Sequence, residues 1–358
     1  MSPKTASDQP ADAPPAPDAK SSSDGTGVHR FTNVMRGGFG ATNLRLVGVL
    51  IIICVIFSLL NSSFYTSASI TNIFVSAVLV LLLALGETYV LISAGIDLSV
   101  ASMLALSGMV AGKVMSTMFE GRQGSAWGIT LAGLACALAV GLLGGTLNGW
   151  AISRLKLNSL IVTLGTMGIF SGAAALISGG NPITNFPESV FTIGNGTWGA
   201  IPIIVVIAVV VIAVFAFVSQ QTRFGRHIYA AGSNREALRR SGVPVAGVTI
   251  GVFGISGLVA GLAGFLDTAH FLTASPSAGS QDLLLAVAAV VIGGTPLEGG
   301  EGSIIGTVIG ALIISVLQNG FVILGVQAYW QLVAVGVVTI VAVYAGERER
   351  ITRIFKGD

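Results

Sequence analysis

Residues 70–99 read ITNIFVSAVLVLLLALGETYVLISAGIDLS. From Ile70 to Ile92 the run is apolar almost throughout, with Glu87 its one acidic residue. An α-helix rises about 1.5 Å per residue, so about 20 apolar residues cross a hydrocarbon core about 30 Å thick. The run therefore reads as a membrane-crossing helix. Gly95, Asp97 and Ser99 then interrupt it before apolar sequence resumes at Val100.

Outward from this stretch the pattern repeats. Apolar runs lie near Leu44–Leu60, Ile70–Ile92, Val100–Met115, Ile129–Ile152, Leu160–Ile177, Ile201–Val218, Val248–Leu266, Leu283–Ile292, Ile304–Leu317 and Leu332–Tyr344. This predicts an all-α, polytopic transmembrane bundle of about ten spans. The run Leu283–Ile292 is short for a full crossing and also reads as re-entrant, which lowers the count towards eight. Composition agrees. Only 9% of the 358 residues are charged and 53% are hydrophobic, against about 25% charged in a soluble domain. The mean hydropathy is +0.86. So few charges cannot clothe a water-facing exterior.

Charge along the chain sets the topology. Arg30, Arg36 and Arg45 flank the first run, and Arg154 and Lys156 follow the fourth. Arg223, Arg226, Arg235, Arg239 and Arg240 follow the sixth, and Arg348, Arg350, Arg353 and Lys356 close the chain. The stretches Asn61–Ser69, Ser178–Ala200, Asp267–Asp282 and Gln318–Trp330 hold no Lys or Arg. Positive residues gather in cytoplasmic loops, so ten crossings with both termini inside account for the pattern. Lys113 and Arg122 dissent. The expected location is a bacterial cytoplasmic (inner) membrane.

Three domains are expected. Residues 1–40, rich in Pro, Ala, Asp and Ser, bury too little surface to offset chain entropy and read as a disordered cytoplasmic tail. They lack a basic start with an apolar core and so read as a retained segment. Residues 41–346 form the membrane domain, with a polar loop at 222–244, and 347–358 a second cytoplasmic tail. Glycines recur at four-residue spacing: Gly108 with Gly112; Gly141 with Gly145 and Gly149; Gly257 with Gly261; Gly306 with Gly310. That spacing puts both residues on one helix face, where small residues let helices approach closely. A sliding interface for gating is the sharper alternative. Cys54 and Cys136 lie in apolar runs and read as buried small hydrophobes, not as a disulfide or metal site.

Three polar segments could carry chemistry. In 90–99, Gly95 allows unusual backbone angles, and Asp97 or Ser99 can cap the next helix. A charge beside a span is equally a functional hypothesis. In 292–303 the glycine cluster, including Gly293 and Gly294, lacks the Gly-Lys-Ser/Thr ending of a phosphate loop and reads as a broken helix or tight turn. Glu298 and Glu301 there read as a solvated loop or as contacts with a basic partner surface. In 222–244, Ser233 or Asn234 can cap a short helix over Arg235–Arg240. Glu236 in its first turn and Arg239 and Arg240 in its last complement the helix dipole, and Gly242 with Pro244 ends it. Such a helix is a docking element or an ordinary basic surface turn. Asn148, Asn158, Thr163, Thr166 and Gln318 are polar residues in or beside spans. They line a permeation path or bond between helices. No Asp/Glu/His relay crosses the bundle, which disfavours proton coupling, although a backbone-coordinated sodium site needs none. Three histidines without a Ser/His/Asp or metal cluster disfavour an enzyme, and nothing points to nucleic acid.

The ordered set Gly95-Ile-Asp-Leu-Ser99, Thr163-Leu-Gly-Thr-Met167, Gly232-Ser-Asn-Arg-Glu-Ala237 with Ser241-Gly-Val243, Ala288-Ala-Val-Val-Ile-Gly-Gly-Thr295, Gly299-Gly-Glu-Gly302 and Gly306-Thr-Val-Ile-Gly-Ala-Leu-Ile313 resembles the ribose-type permeases of bacterial ATP-binding-cassette importers. The resemblance covers roughly residues 44–345. It implies about ten helices per subunit, a dimer with a second permease subunit, cytoplasmic ATPase subunits and an external solute-binding protein. ATP and magnesium would belong to the ATPase, and this chain would hold no cofactor. The loop matching Gly232, Ser233, Asn234, Arg235, Glu236, Ala237, Arg239, Arg240, Ser241 and Gly242 would dock on the ATPase. ATPase closure would pull on that loop, rock the subunits and alternate access. Gly95, Asp97, Ser99, Asn148, Asn158, Thr163, Gly293 and Gly294 would contribute to the path or gate. The family often has acidic residues where Leu283 and Leu285 stand and a basic one at Glu301; these departures bear on solute and partner surface. The expected cargo is a pentose, hexose or polyol. Rivals are a branched-chain amino acid or nucleoside permease, a stand-alone secondary transporter and, more distantly, a membrane-embedded enzyme.

Overall fold

The computed structural model describes residues 41–327, 329–341 and 344. Both terminal tails, 1–40 and 347–358, lie outside the described residues. Eight helices are long and apolar enough to cross a membrane. They are α1 (Ala41–Leu60), α2 (Ser67–Ile92), α3 (Val100–Glu120), α4 (Ala126–Arg154), α5 (Ser159–Leu176), α7 (Ile203–Gln221), α10 (Val245–Phe271) and α12 (Ile304–Ile323). Two of the ten apolar runs form shorter helices, α11 (Asp282–Ile292) and α13 (Tyr329–Val341). The ten apolar runs thus form eight long helices and two shorter ones among the described residues. Short helices α6 (Glu188–Asn195), α8 (Arg223–Ser233) and α9 (Arg235–Arg240) lie in connections, with a two-residue antiparallel ribbon of β1 (Thr197–Trp198) and β2 (Ile201–Pro202).

Uncharged caps start several spans. Thr66 accepts from the Ser69 amide at 3.3 Å, Ser125 from Gly128 at 3.1 Å, Asn158 from Leu160 at 2.8 Å and Ser303 from Gly306 at 3.2 Å. A hydroxyl or amide oxygen satisfies an orphan amide without carrying a full charge to the membrane.

More than half of the apolar windows of α2, α3, α10 and α12 is buried, whereas α1, α4, α5 and α7 bury less than a third. The first four form the core and the second four present leucine, isoleucine and valine outward. Helix α10 is central, and glycine decides how closely it packs. A Cβ on Gly141 would stand 2.1 Å from the Gly257 carbonyl oxygen, and one on Gly145 2.2 Å from that of Phe253. A Cβ on Gly108 would stand 2.8 Å from the Gly264 oxygen, and one on Gly306 2.1 Å from that of Gly293. The four-residue glycine spacings are helix-packing faces, where dispersion contacts replace the hydrophobic effect that lipid cannot supply.

The bundle has two distinct ends. At one, α8 and α9 pack beside the C-terminal end of α2. At the other, the segments before α7 and after α10 meet: Ile183 and Ala274 exchange backbone hydrogen bonds of 2.9 Å each.

Candidate functional site

Helix α9 forms from local chemistry. Asn234, not Ser233, supplies the cap, its side-chain oxygen accepting from the Ala237 amide at 2.9 Å. Glu236 accepts from Arg239 at 2.9 Å and Arg240 at 3.1 Å. These hydrogen bonds hold the Glu236 carboxyl below its ordinary range. Any stabilisation from this pairing is present above the ordinary carboxylate range and goes as pH falls through the lowered value. All three side chains are exposed, so the pairing shapes the surface more than it stabilises the fold. Gly242 ends the helix in the left-handed region, at φ +82°. Every residue of α9 is exposed except Leu238, which anchors it to the body.

The sequence gives no sign of what α9 stands on. The polar stretch before it is itself a helix, α8, capped by Thr222 and burying Gly225, Ile228 and Ala231. That three-residue spacing was the signal available. Three segments distant in sequence then join. Arg235 donates to the Ser93 carbonyl at 3.1 Å, and the Gly300 amide donates to the Ile92 carbonyl at 2.8 Å. Tyr229 donates to the Gly302 carbonyl at 3.0 Å, and Ser233 to those of Tyr229 at 3.0 Å and Gly300 at 3.5 Å. Gly232 sits at the junction, where a Cβ would stand 1.9 Å from the Ile92 oxygen and 2.4 Å from the Gly300 nitrogen. The glycine cluster 293–303 is therefore a packed connector under α8 and α9. Gly294, Gly299 and Gly300 adopt φ of +87°, +80° and +80°, and Gly293 closes α11 against Gly306.

Next to this junction lies a buried polar cluster. The left-handed residue that ends α2 is Ala94, at φ +57°, rather than Gly95. Gly95 is small for another reason: a Cβ there would press on Val90 at 3.2 Å and Phe253 at 3.4 Å. Ser99 occupies the cap position of α3 but makes no side-chain cap bond. Asp97 accepts instead from the Ser99 amide at 2.9 Å and hydroxyl at 2.6 Å, and Asn148 donates to that hydroxyl at 2.8 Å. Asp97, Ser99 and Asn148 are each at most 2% exposed. Asp97 is thus an internal carboxyl, not a surface cap. Thr163 donates to the Ile96 carbonyl at 3.2 Å, and the Ile96 amide to Ser159 at 3.2 Å. Gly95, Asp97, Ser99, Asn148 and Thr163 thus come together, while Asn158 is the exposed cap of α5 and Gly293 and Gly294 belong to the connector.

Two cavities open at the end opposite α9. The larger, about 570 Å³, is lined by neutral polar side chains including Thr71, Asn72, Asn195, Gln318, Asn319 and Gln331. The second, about 400 Å³, holds Ser277, Asp267, Asp282 and Phe271. Ser76 and Gln318 line both. Of the polar span residues, Gln318 reaches these cavities. Along α2 from Leu79 to Ile92 and along α12 from Gln318 to Ile304, the cavity walls stand about 20 Å from the α9 end. The hydroxyls and amides that line the larger cavity suit a hydrogen-bonding solute better than an apolar one.

The chain matches, over residues 69–343, the family model described as branched-chain amino acid transport system / permease component. It is 37% identical over 318 residues to the ribose import permease protein RbsC of Haemophilus influenzae, covering 88% of this chain and 95% of that protein. The Escherichia coli (strain K12) ribose import permease protein RbsC is 36% identical over 311 residues, 85% of this chain and 93% of that one. The D-allose transport system permease protein AlsC of the same organism is 38% identical over 296 residues, 82% and 88% of the two chains. No solved structure matches the chain.

Proposed function

This chain belongs to the branched-chain amino acid transport system / permease component family, and from that premise we propose that it is the membrane subunit of an ATP-driven importer for a monosaccharide. The carrying observation is near-full-length similarity to permeases named for ribose and allose. The hydroxyl and amide groups that line the larger cavity are suited to hydrogen-bonding a sugar, which supports this reading. The chain is a transport subunit, not an enzyme.

A partner ATPase binds ATP and magnesium, and this chain holds no cofactor. The exposed face of α9, built from Arg235, Glu236, Ala237, Arg239, Arg240 and Ser241, docks on that ATPase. Both termini share the cytoplasmic side with α9, and a solute-binding protein delivers cargo to the opposite end. Two copies of the chain pair in the membrane.

Uptake of radiolabelled D-ribose into vesicles carrying the assembled transporter tests this. Removing ATP is expected to stop uptake, while collapsing the ion gradients leaves it within about twofold. The reverse result would mark a secondary carrier. A second expectation concerns α9 alone. Glu236→Lys removes both internal ion pairs and places like charge beside Arg239 and Arg240, so uptake should fall at least about tenfold while membrane insertion persists. Co-purification of the ATPase at wild-type yield would show that α9 is not its docking face.

A further inference from the structure

The second cavity carries a feature that solute passage alone does not explain. Asp267, near the C-terminal end of α10, is 7% exposed and lines the cavity. Asp282 begins α11 and faces the same space, within electrostatic reach of Asp267. Among the described residues, neither carboxyl has a hydrogen-bond or ion-pair partner. An acidic side chain this buried normally sits against a donor or a cation, because loss of hydration is costly. Helix packing does not account for it, since both side chains open onto space large enough for a small solute.

The rest of the lining bears on what fills that space. Ser76, Thr273, Ser275 and Ser277 line the same cavity, as do Leu79, Val80 and Leu285, and Phe271, 62% exposed, is also in its wall. No Lys or Arg lies between Asp267 and Asp282 in the sequence. Carboxylate oxygens accept strongly from hydroxyls, and a carboxylate with two free oxygens can take a pair of neighbouring ones. An exposed aromatic face suits the C–H surface of a sugar ring. A dication would seek more oxygen ligands than two carboxyls supply, six to eight being usual for calcium.

We propose that Asp267 and Asp282 form a solute subsite in the permease, accepting hydrogen bonds from vicinal hydroxyls of a neutral polyhydroxyl solute as it leaves the binding protein. This rests on the sugar-importer reading and adds to it a selectivity element within the membrane subunit. Asp267 is the principal acceptor, being the more buried, and Asp282 the second.

The test uses the full transporter, with its ATPase and binding protein, in vesicles. Uptake is compared for D-ribose and its 2-deoxy, 3-deoxy and 5-deoxy analogues, in wild type, Asp267→Asn and Asp282→Asn. A hydrogen bond to a charged acceptor is worth about tenfold in discrimination. Asp267→Asn should therefore compress the ratio of ribose to at least one deoxy analogue about tenfold, with uptake of that analogue nearly unchanged. The binding protein is common to all arms, so its own preference cancels. Equal loss for every sugar in both variants would mean a structural role and would overturn the subsite. Unaltered ratios in both would overturn it as well. Wild-type vesicles that move none of the four sugars would overturn the importer reading and the subsite with it, an outcome distinct from ribose uptake with unaltered ratios.

Discussion

Valine in place of Gly232 is expected to reduce sugar uptake below about a tenth of the wild-type rate while leaving the chain in the membrane. The clash is with main chain on two sides, the Ile92 oxygen and the Gly300 nitrogen. Neither can turn away as a flexible side chain would. Relief requires α8 to lift from the end of α2, which breaks the Gly300–Ile92 and Arg235–Ser93 hydrogen bonds together. Helix α9 would keep its own cap and ion pairs but lose its seat. Uptake in vesicles, and ATPase activity stimulated by loaded binding protein, should therefore fall together while insertion holds. Gly247→Ala is the control, since its Cβ would meet only Pro244 at 3.9 Å. Uptake by Gly232→Val matching that of the control would remove the junction from the mechanism.

Leucine at Gly257 should do more damage, to the fold itself. A Cβ there would stand 2.1 Å from the Gly141 oxygen and 2.8 Å from the Gly145 Cα, with three further carbons to place. Overpacking in a well-packed core costs about 1–3 kcal/mol or more, and here both opposing atoms are backbone. Separation of α4 from α10 would open the central helix pair. The expected readout is loss of monodisperse protein in detergent, with yield down at least about fivefold, and a lowered unfolding temperature. Leucine at Gly165 on α5, where nothing lies within 4 Å, should leave both unchanged. A Gly257→Leu protein as stable as wild type would be incompatible with close helix approach at this site.

What could be read from the chain followed the range of the interaction. Spans are decided by side-chain solvation over about 20 residues, and the long apolar runs appear as helices. The capped helix at 235–240 was legible because cap, ion pairs and terminating glycine all lie within nine residues. Helix α8 was not recognised: its arginines and glycines mask the three-residue spacing of Gly225, Ile228 and Ala231. The junction of Ile92, Gly232 and Gly300 was out of reach, since its members are some 70 to 210 residues apart and are joined by backbone atoms that any sequence carries. Gly95 drew attention as the conformationally free residue, yet the left-handed turn falls on Ala94, because the helix-ending hydrogen bonds set that register. Asp267 and Asp282 bounded a stretch noted for lacking Lys and Arg. Only the fold shows that their side chains share one cavity.

Helix α11 has a mechanical meaning. It begins at Asp282 in the cavity wall and ends at Gly293, where the connector to Gly300 starts. Its eleven residues make a stiff rod about 16 Å long. Were α9 the docking face proposed above, a displacement there would pass through the Ser233–Gly300 hydrogen bond to the connector and along α11 to Asp282 in the cavity wall. About nine further residues, completing a full span of about 20, would carry that tip about 14 Å beyond the cavity wall.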